Sequence, residues 1–149
     1  MLSQKARYAF HALFVLGQTR SARPMLIADI AEKASVPRKF LEQILLDLKR
    51  TGIVASQRGK AGGYMLGRPP EKIAYAEVIR AIDGPLALTP CVSVTAYRRC
   101  DDCTDEKTCA IRKVLLLVRN ATAEILESNT LADALGRHSG PAKAAKSRR

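Results

Sequence analysis

Tryptophan is absent, and the 149-residue chain has only three phenylalanines and four tyrosines. A large aromatic core is therefore excluded, and packing must rest on aliphatic side chains within a hydrophobic share of 47%. No apolar run reaches the roughly 18 residues of a membrane-spanning helix, so no membrane partner is expected. Acids are scarce, 14 against 25 Lys and Arg, for a net charge of +11. The two histidines, His11 and His138, lie far apart in sequence. With them goes any obvious catalytic set: there is no nucleophile elbow, phosphate loop or dinucleotide fingerprint. The chain reads as a non-enzyme.

The length suits one domain with an appended element. The start, MLSQKARYAFHALFVLG, is basic and then apolar, but it lacks a small-residue cleavage site and reads as a buried first helix over 3–19, capped by Ser3. A cytoplasmic location follows, where four cysteines stay reduced and serve metal or redox chemistry better than disulfides.

What is present is a basic, patterned centre. Leu26, Ile27, Ile30, Ala31 and Ala34 share a face of a short helix ending near Ser35. A second helix follows, in which Phe40, Leu41, Ile44, Leu45 and Leu48 repeat at three- and four-residue spacing. Pro37 suits its first turn and Gly52 its stop. IVASQ and GYMLG then read as strands around Arg58-Gly59-Lys60-Ala61-Gly62-Gly63, a tight loop with three glycines and two cations. Helix, turn, helix and basic-tipped hairpin is the winged helix-turn-helix outline, with the second helix in a DNA major groove. Residues 1–60 hold eleven Lys or Arg against four acids, the charge asymmetry that phosphate contacts require. The expected partner is double-stranded operator DNA.

Beyond Arg68-Pro69-Pro70, which stops the second strand, a short helix is expected over 75–82 with Val78, Ile79 and Ile82 inward. Residues 86–108 read as irregular. A long helix runs from Cys109 to about Ser128, and 130–135 adds a last turn or two. Residues 136–149 contain five cations and no acid and show no apolar period, so they read as a disordered basic tail. In the long helix, Ile111, Val114 or Leu115, Val118 and Ile125 form a heptad-like seam. We expect Ile111, Leu115, Val118 and Ile125 to hold a homodimer, because helix-turn-helix regulators place two recognition helices one DNA turn apart.

Four cysteines, Cys91, Cys100, Cys103 and Cys109, fall within nineteen residues of a largely polar segment. Buried core cysteines do not cluster beside charges in this way. Soft thiolates at short spacing select an iron–sulfur cluster or zinc. Spacing leaves those two open, since only Cys100-x2-Cys103 forms a pair of the structural-zinc kind.

Arg7-Tyr8-Ala9, Ala28-Asp29-Ile30-Ala31, Phe40-Leu41-Glu42-Gln43, Gly52-Ile53-Val54 and Arg58-Gly59…Gly62-Gly63-Tyr64 together resemble the IscR/NsrR/RirA family of bacterial winged-helix regulators over residues 1 to about 135. The resemblance implies a mainly α fold with a small β-hairpin wing: a DNA-binding domain over 1–85, a cysteine-rich sensor loop over 86–108 and a dimerisation helix region over 109–135. It implies base reading by Glu42, minor-groove entry by Arg58, and operator choice by Pro37, Arg38 and Lys39. Gln43 and Lys60 complete the expected DNA contacts. It also favours an iron–sulfur cluster (2Fe-2S or 4Fe-4S) on Cys91, Cys103 and Cys109, since the family's last two ligands share the five-residue gap between Cys103 and Cys109.

The chain departs from that pattern in several places. The gap from Cys91 to Cys103 is longer, Cys100 is additional, and Arg112 stands where IscR has a ligating histidine. Arg7 replaces an acidic ligand of other members. Cys100 is then the first candidate for a fourth ligand, ahead of His11. The expected function is a DNA-binding transcription repressor switched by the cluster. The alternative is a zinc-stabilised or thiol-redox-switched winged-helix regulator. An enzyme or electron carrier would leave the wing and the basic face without a role.

Overall fold

The computed structural model describes residues 2–19 and 23–136. Eight elements follow in order: α1 (Gln4–Gln18), α2 (Ile27–Ala34), α3 (Arg38–Arg50), β1 (Val54–Gln57), β2 (Gly63–Leu66), α4 (Tyr75–Asp83), α5 (Ala110–Ser128) and α6 (Leu131–Ala134). Short 3₁₀ turns cover Pro70–Lys72 and Pro90–Val92. This is the mainly helical fold with a two-stranded wing that the sequence leads one to expect. The basic tail lies outside the described residues except for Gly136.

Ser3 caps α1 as anticipated, its Oγ accepting the Ala6 N–H at 3.0 Å. Ala9, Phe10, Ala12, Leu13 and Leu16 line the buried side of that helix. Between α2 and α3 the chain turns at Ser35, which takes the left-handed conformation (φ 53°) and donates its N–H to Glu32. The turn drops Val36 into the core. Pro37 stands one position outside α3, at the N-cap rather than in the first turn, and its carbonyl accepts from Phe40 and Leu41.

Two apolar assignments need correction. In α3, Leu41, Ile44, Leu45 and Leu48 are fully buried, but Phe40 is 57% exposed and lies against Tyr8 of α1. Residue 40 sits about a quarter-turn from the centre of the stripe, so its ring falls on the flank. Leu26 is likewise exposed, because it precedes α2 in extended backbone instead of joining the helix face. Of the three residues assigned inward in α4, Val78 is buried, whereas Ile79 and Ile82 are only half-covered.

The hairpin pairs antiparallel, Val54 with Leu66 and Gln57 with Gly63. Met25 joins the hairpin as a single antiparallel bridge, exchanging two 2.8 Å bonds with Tyr64. A side chain on Gly63 would strike the Met25 carbonyl, so glycine is required where the two backbones meet.

The end of α5 leads back into the head. Tyr75 donates to the Asn129 carbonyl and Leu131 to that of Ile73, both at 3.0 Å. Leu131 and Ala132 are fully buried. Thr130 and Asp133 form a reciprocal capping box at the start of α6. The 19-residue α5 itself buries no residue fully in the single chain.

Candidate nucleic-acid interface and thiol loop

With Leu41, Ile44, Leu45 and Leu48 inward, the helical period puts Lys39, Gln43, Leu46 and Arg50 on the opposite line of α3. All four are exposed. Arg38 and Glu42 lie nearer one edge and pair at 3.4 Å, both well solvated. Such an exposed pair holds its partners only weakly and can open to a ligand. Asp47 sits at the other edge as an acceptor hub: Lys5 Nζ reaches it at 2.7 Å, Gln43 Nε2 at 3.0 Å and Arg50 at 3.3 Å. The Lys5 hydrogen bond first, then Gln43 and the charges of Lys5 and Arg50, hold its carboxyl below the ordinary carboxylate value against partial desolvation. The hub ties the recognition helix to α1 and restrains two outward side chains. The apolar spacing alone passes over Leu46, although the same period that buries Leu48 points it away from the core.

The wing tip carries Arg58 and Lys60, both exposed. Neither forms an ion pair among the described residues. The turn closes with Gly62 donating to Gly59 at 2.9 Å, and a Cβ on Gly62 would meet the Gln57 carbonyl. The glycine makes the turn tight enough to present both cations at one tip.

The thiol segment links α4 to α5. Cys91 is buried in the 3₁₀ turn, its sulfur 3.4 Å from Thr89 Oγ1. Cys100, Cys103 and Cys109 are half-exposed. A side-chain hydrogen bond with Cys91, then desolvation and the neighbouring Cys91, Asp102 and Cys103 charges, push the Cys100 thiol up. The backbone N–H of Cys103 donates to the Cys100 carbonyl at 3.1 Å, and Arg98 N–H donates to Pro90 ahead of Cys91 at 3.3 Å, so the segment folds back on its own turn. Cys109 caps α5, its sulfur accepting the Arg112 N–H at 3.4 Å.

Arg99 braces the segment through the Cys103 and Thr104 carbonyls at 2.9 and 3.0 Å. Tyr97 donates to Glu106 at 2.6 Å, and Asp105 accepts from Lys107 N and Thr108 Oγ1. The first of those Asp105 bonds, with the second, holds its carboxyl low.

Among the described residues no three His, Cys, Asp or Glu side chains stand close enough together to hold a metal ion as placed. The donor chemistry nonetheless fits a soft metal or iron–sulfur group: four free thiols in one segment. His11 is exposed on α1 beside Tyr8.

The expected seam on α5 is exposed in the single chain apart from Leu115. Ile111, Val118 and Ile125 are 69%, 41% and 59% exposed. Leu115 is half-covered, while Val114 is 59% exposed and Leu117 68%. The outward line thus runs through Val114 rather than Leu115.

A tight helix-turn-helix, an exposed polar recognition face and a cationic hairpin tip define a winged-helix DNA-binding transcription regulator. Its relatives are regulators too, not enzymes. The chain belongs to the Rrf2 family, iron-dependent transcriptional regulators, whose family model matches residues 2–137. It is 43% identical over 146 residues to the rrf2-like HTH-type transcriptional regulator of Rhodobacter capsulatus, covering 96% of this chain and 97% of that one. Among solved structures it resembles CymR, the global cysteine regulator of B. subtilis, with a TM-score of 0.72 and 28% identity over 93% of this chain and 98% of that one. It also resembles T. potens IscR, with a TM-score of 0.69 and 30% identity over 91% and 86%. No helix among the described residues is long and apolar enough to cross a membrane.

Proposed function

We propose that this chain is a homodimeric operator-binding repressor whose DNA affinity is set at the thiol segment. One observation carries the reading: the four cysteines occupy the connection between the DNA-reading head and the unburied helix α5. Residues 1–85 would form the reading head, 86–108 the sensor loop, and α5 the dimer contact, with α6 returning to the head. Lys39, Gln43 and the edge pair Arg38 and Glu42 would face base edges from the N-terminal half of α3, while Arg58 and Lys60 reach phosphate or the minor groove.

The thiols suit an iron–sulfur cluster, in keeping with the family's description as iron-dependent. Cys91, Cys103 and Cys109 would hold it, with the half-exposed Cys100 as the first candidate for a fourth ligand. Of these, Cys91 stands on the 3₁₀ turn and Cys109 at the start of α5, and a cluster held by them would supply redox-labile chemistry there. The chain's own part is to keep the segment braced through Arg99 and Tyr97, and to rest α5 on α4 and on the Cys91 turn. A change of order in the loop then alters the spacing of two recognition helices, a two-state element biased by its ligand.

Four free thiols in one segment also support a second reading, in which thiol oxidation or zinc sets the state without a cluster. Anaerobic purification with iron, sulfide and zinc analysis separates the two. The expected result is brown protein with stoichiometric iron and sulfide, and an operator affinity that changes when the cluster is removed. Colourless protein that holds zinc or no metal, with operator affinity sensitive to oxidant, overturns the cluster in favour of the second reading.

A further inference from the structure

A cavity of about 380 Å³ opens where α4, the 85–88 linker and α5 meet. Its volume lies within the range of small-molecule pockets. Most of the wall is apolar, contributed by Ile79, Leu86 and Leu126 together with Leu2 ahead of α1. Two polar groups on one wall stand out. Arg119 and Thr122 lie one turn apart on α5 and both line the cavity.

The Arg119 Nε–H is sealed from solvent and has no hydrogen-bond acceptor among the described residues. Arg119 also takes no part in an ion pair there. The one acid at the cavity, Asp83, is already engaged: Ser3 N–H donates to its Oδ2 at 2.9 Å, and Ser3 Oγ bonds its Oδ1. Arg119 thus lines the cavity with a charge that has no counter-ion among the described residues, and a carboxylate matches the fork of a guanidinium. An amine would meet a positive charge with no free acid to receive it.

We propose that this cavity binds a small carboxylate with an apolar tail, its oxygens on Arg119 and Thr122 and its tail among Ile79, Leu86 and Leu126. The walls belong to the reading head, to the linker that runs into the Cys91 turn, and to α5. Occupancy therefore gives this regulator a second input beside the thiols. This binding does not depend on a cluster, so its test reads out separately from operator switching.

The test titrates the full-length protein with octanoate by calorimetry, with octylamine as the equal-length cation and inorganic phosphate as the anion without a tail. Octanoate should bind while octylamine and phosphate stay silent. Arg119→Leu, which keeps the apolar wall, should weaken octanoate by about tenfold or more. Ala87→Phe fills the cavity from the linker side and should do the same, so one misfolded variant does not decide the matter; circular dichroism checks both. No octanoate binding at millimolar concentration overturns the proposal, as does equal binding of octylamine or unchanged affinity in Arg119→Leu. Leu88 and Val118 are exposed at the cavity. If octanoate is silent and Leu88→Glu shifts the sedimenting species to a smaller mass, a second copy fills the groove and the carboxylate site is wrong.

Discussion

Lys5 on α1 and Asp47 on α3 meet at 2.7 Å across the junction of the first and recognition helices. The Asp47 side chain is 15% exposed and also receives Gln43 and Arg50. The pair therefore does two things: it docks α3 on α1, and it restrains two side chains of the DNA face from behind.

Replacing Asp47 by Asn should cost about 1 kcal/mol of folding stability near neutral pH, as expected for a partly solvated, multiply bonded pair. The carboxyl is held below its usual value, so its contribution is complete above about pH 5 and lost as pH falls through the lowered value. Urea melts of both proteins across that range check the sign. The wild type's advantage should shrink on acidification; an advantage that persists in acid would assign the effect to packing.

Arg58 at the wing tip should be worth about 1–3 kcal/mol of operator affinity if it enters a groove. Arg58→Ala should also lower the slope of log affinity against log salt by about one contact. Fluorescence titrations at several salt concentrations measure both quantities. Unchanged affinity and slope would remove the wing from the interface.

Val118→Glu places a charge in the exposed line of α5 through Ile111, Val114 and Ile125. A buried unpaired charge is costly, so the dimer should give way to a monomer with lost operator binding. Sedimentation of wild type and variant at matched micromolar concentration decides the point. A monomeric wild type would end the dimer proposal, and an unaffected variant would move the interface elsewhere.

Single Cys→Ala variants separate ligands from bystanders. After anaerobic reconstitution, loss of Cys91, Cys103 or Cys109 should bleach the visible spectrum or make it labile, because each thiolate is needed for ligation. Loss of Cys100 should do so only if it supplies the fourth ligand. A spectrum untouched by Cys109→Ala would place the group on Cys91, Cys100 and Cys103.

Local pattern alone determined the parts of this protein that depend on neighbouring residues in the chain. The spacing of Leu41, Ile44, Leu45 and Leu48 makes one buried face of α3 and, by the same period, a polar face opposite. Ser3 starts α1, and the Arg58–Gly63 composition makes a tight basic turn. The thiol spacing marked the segment before α5. Tertiary structure decided whatever depends on partners distant in sequence. Phe40 lies outward because α3 meets the rest of the core about a quarter-turn away, a rotation that spacing does not encode. Met25 bridges to the hairpin only because Gly63 lets its backbone approach Tyr64. Thr130 and Leu131 return to Ala74 and Ile73 through backbone pairing that has no local signature. The loop before α5 folds back on its own 3₁₀ turn, Arg98 donating to the Pro90 carbonyl, a closure with no signature in the cysteine spacing.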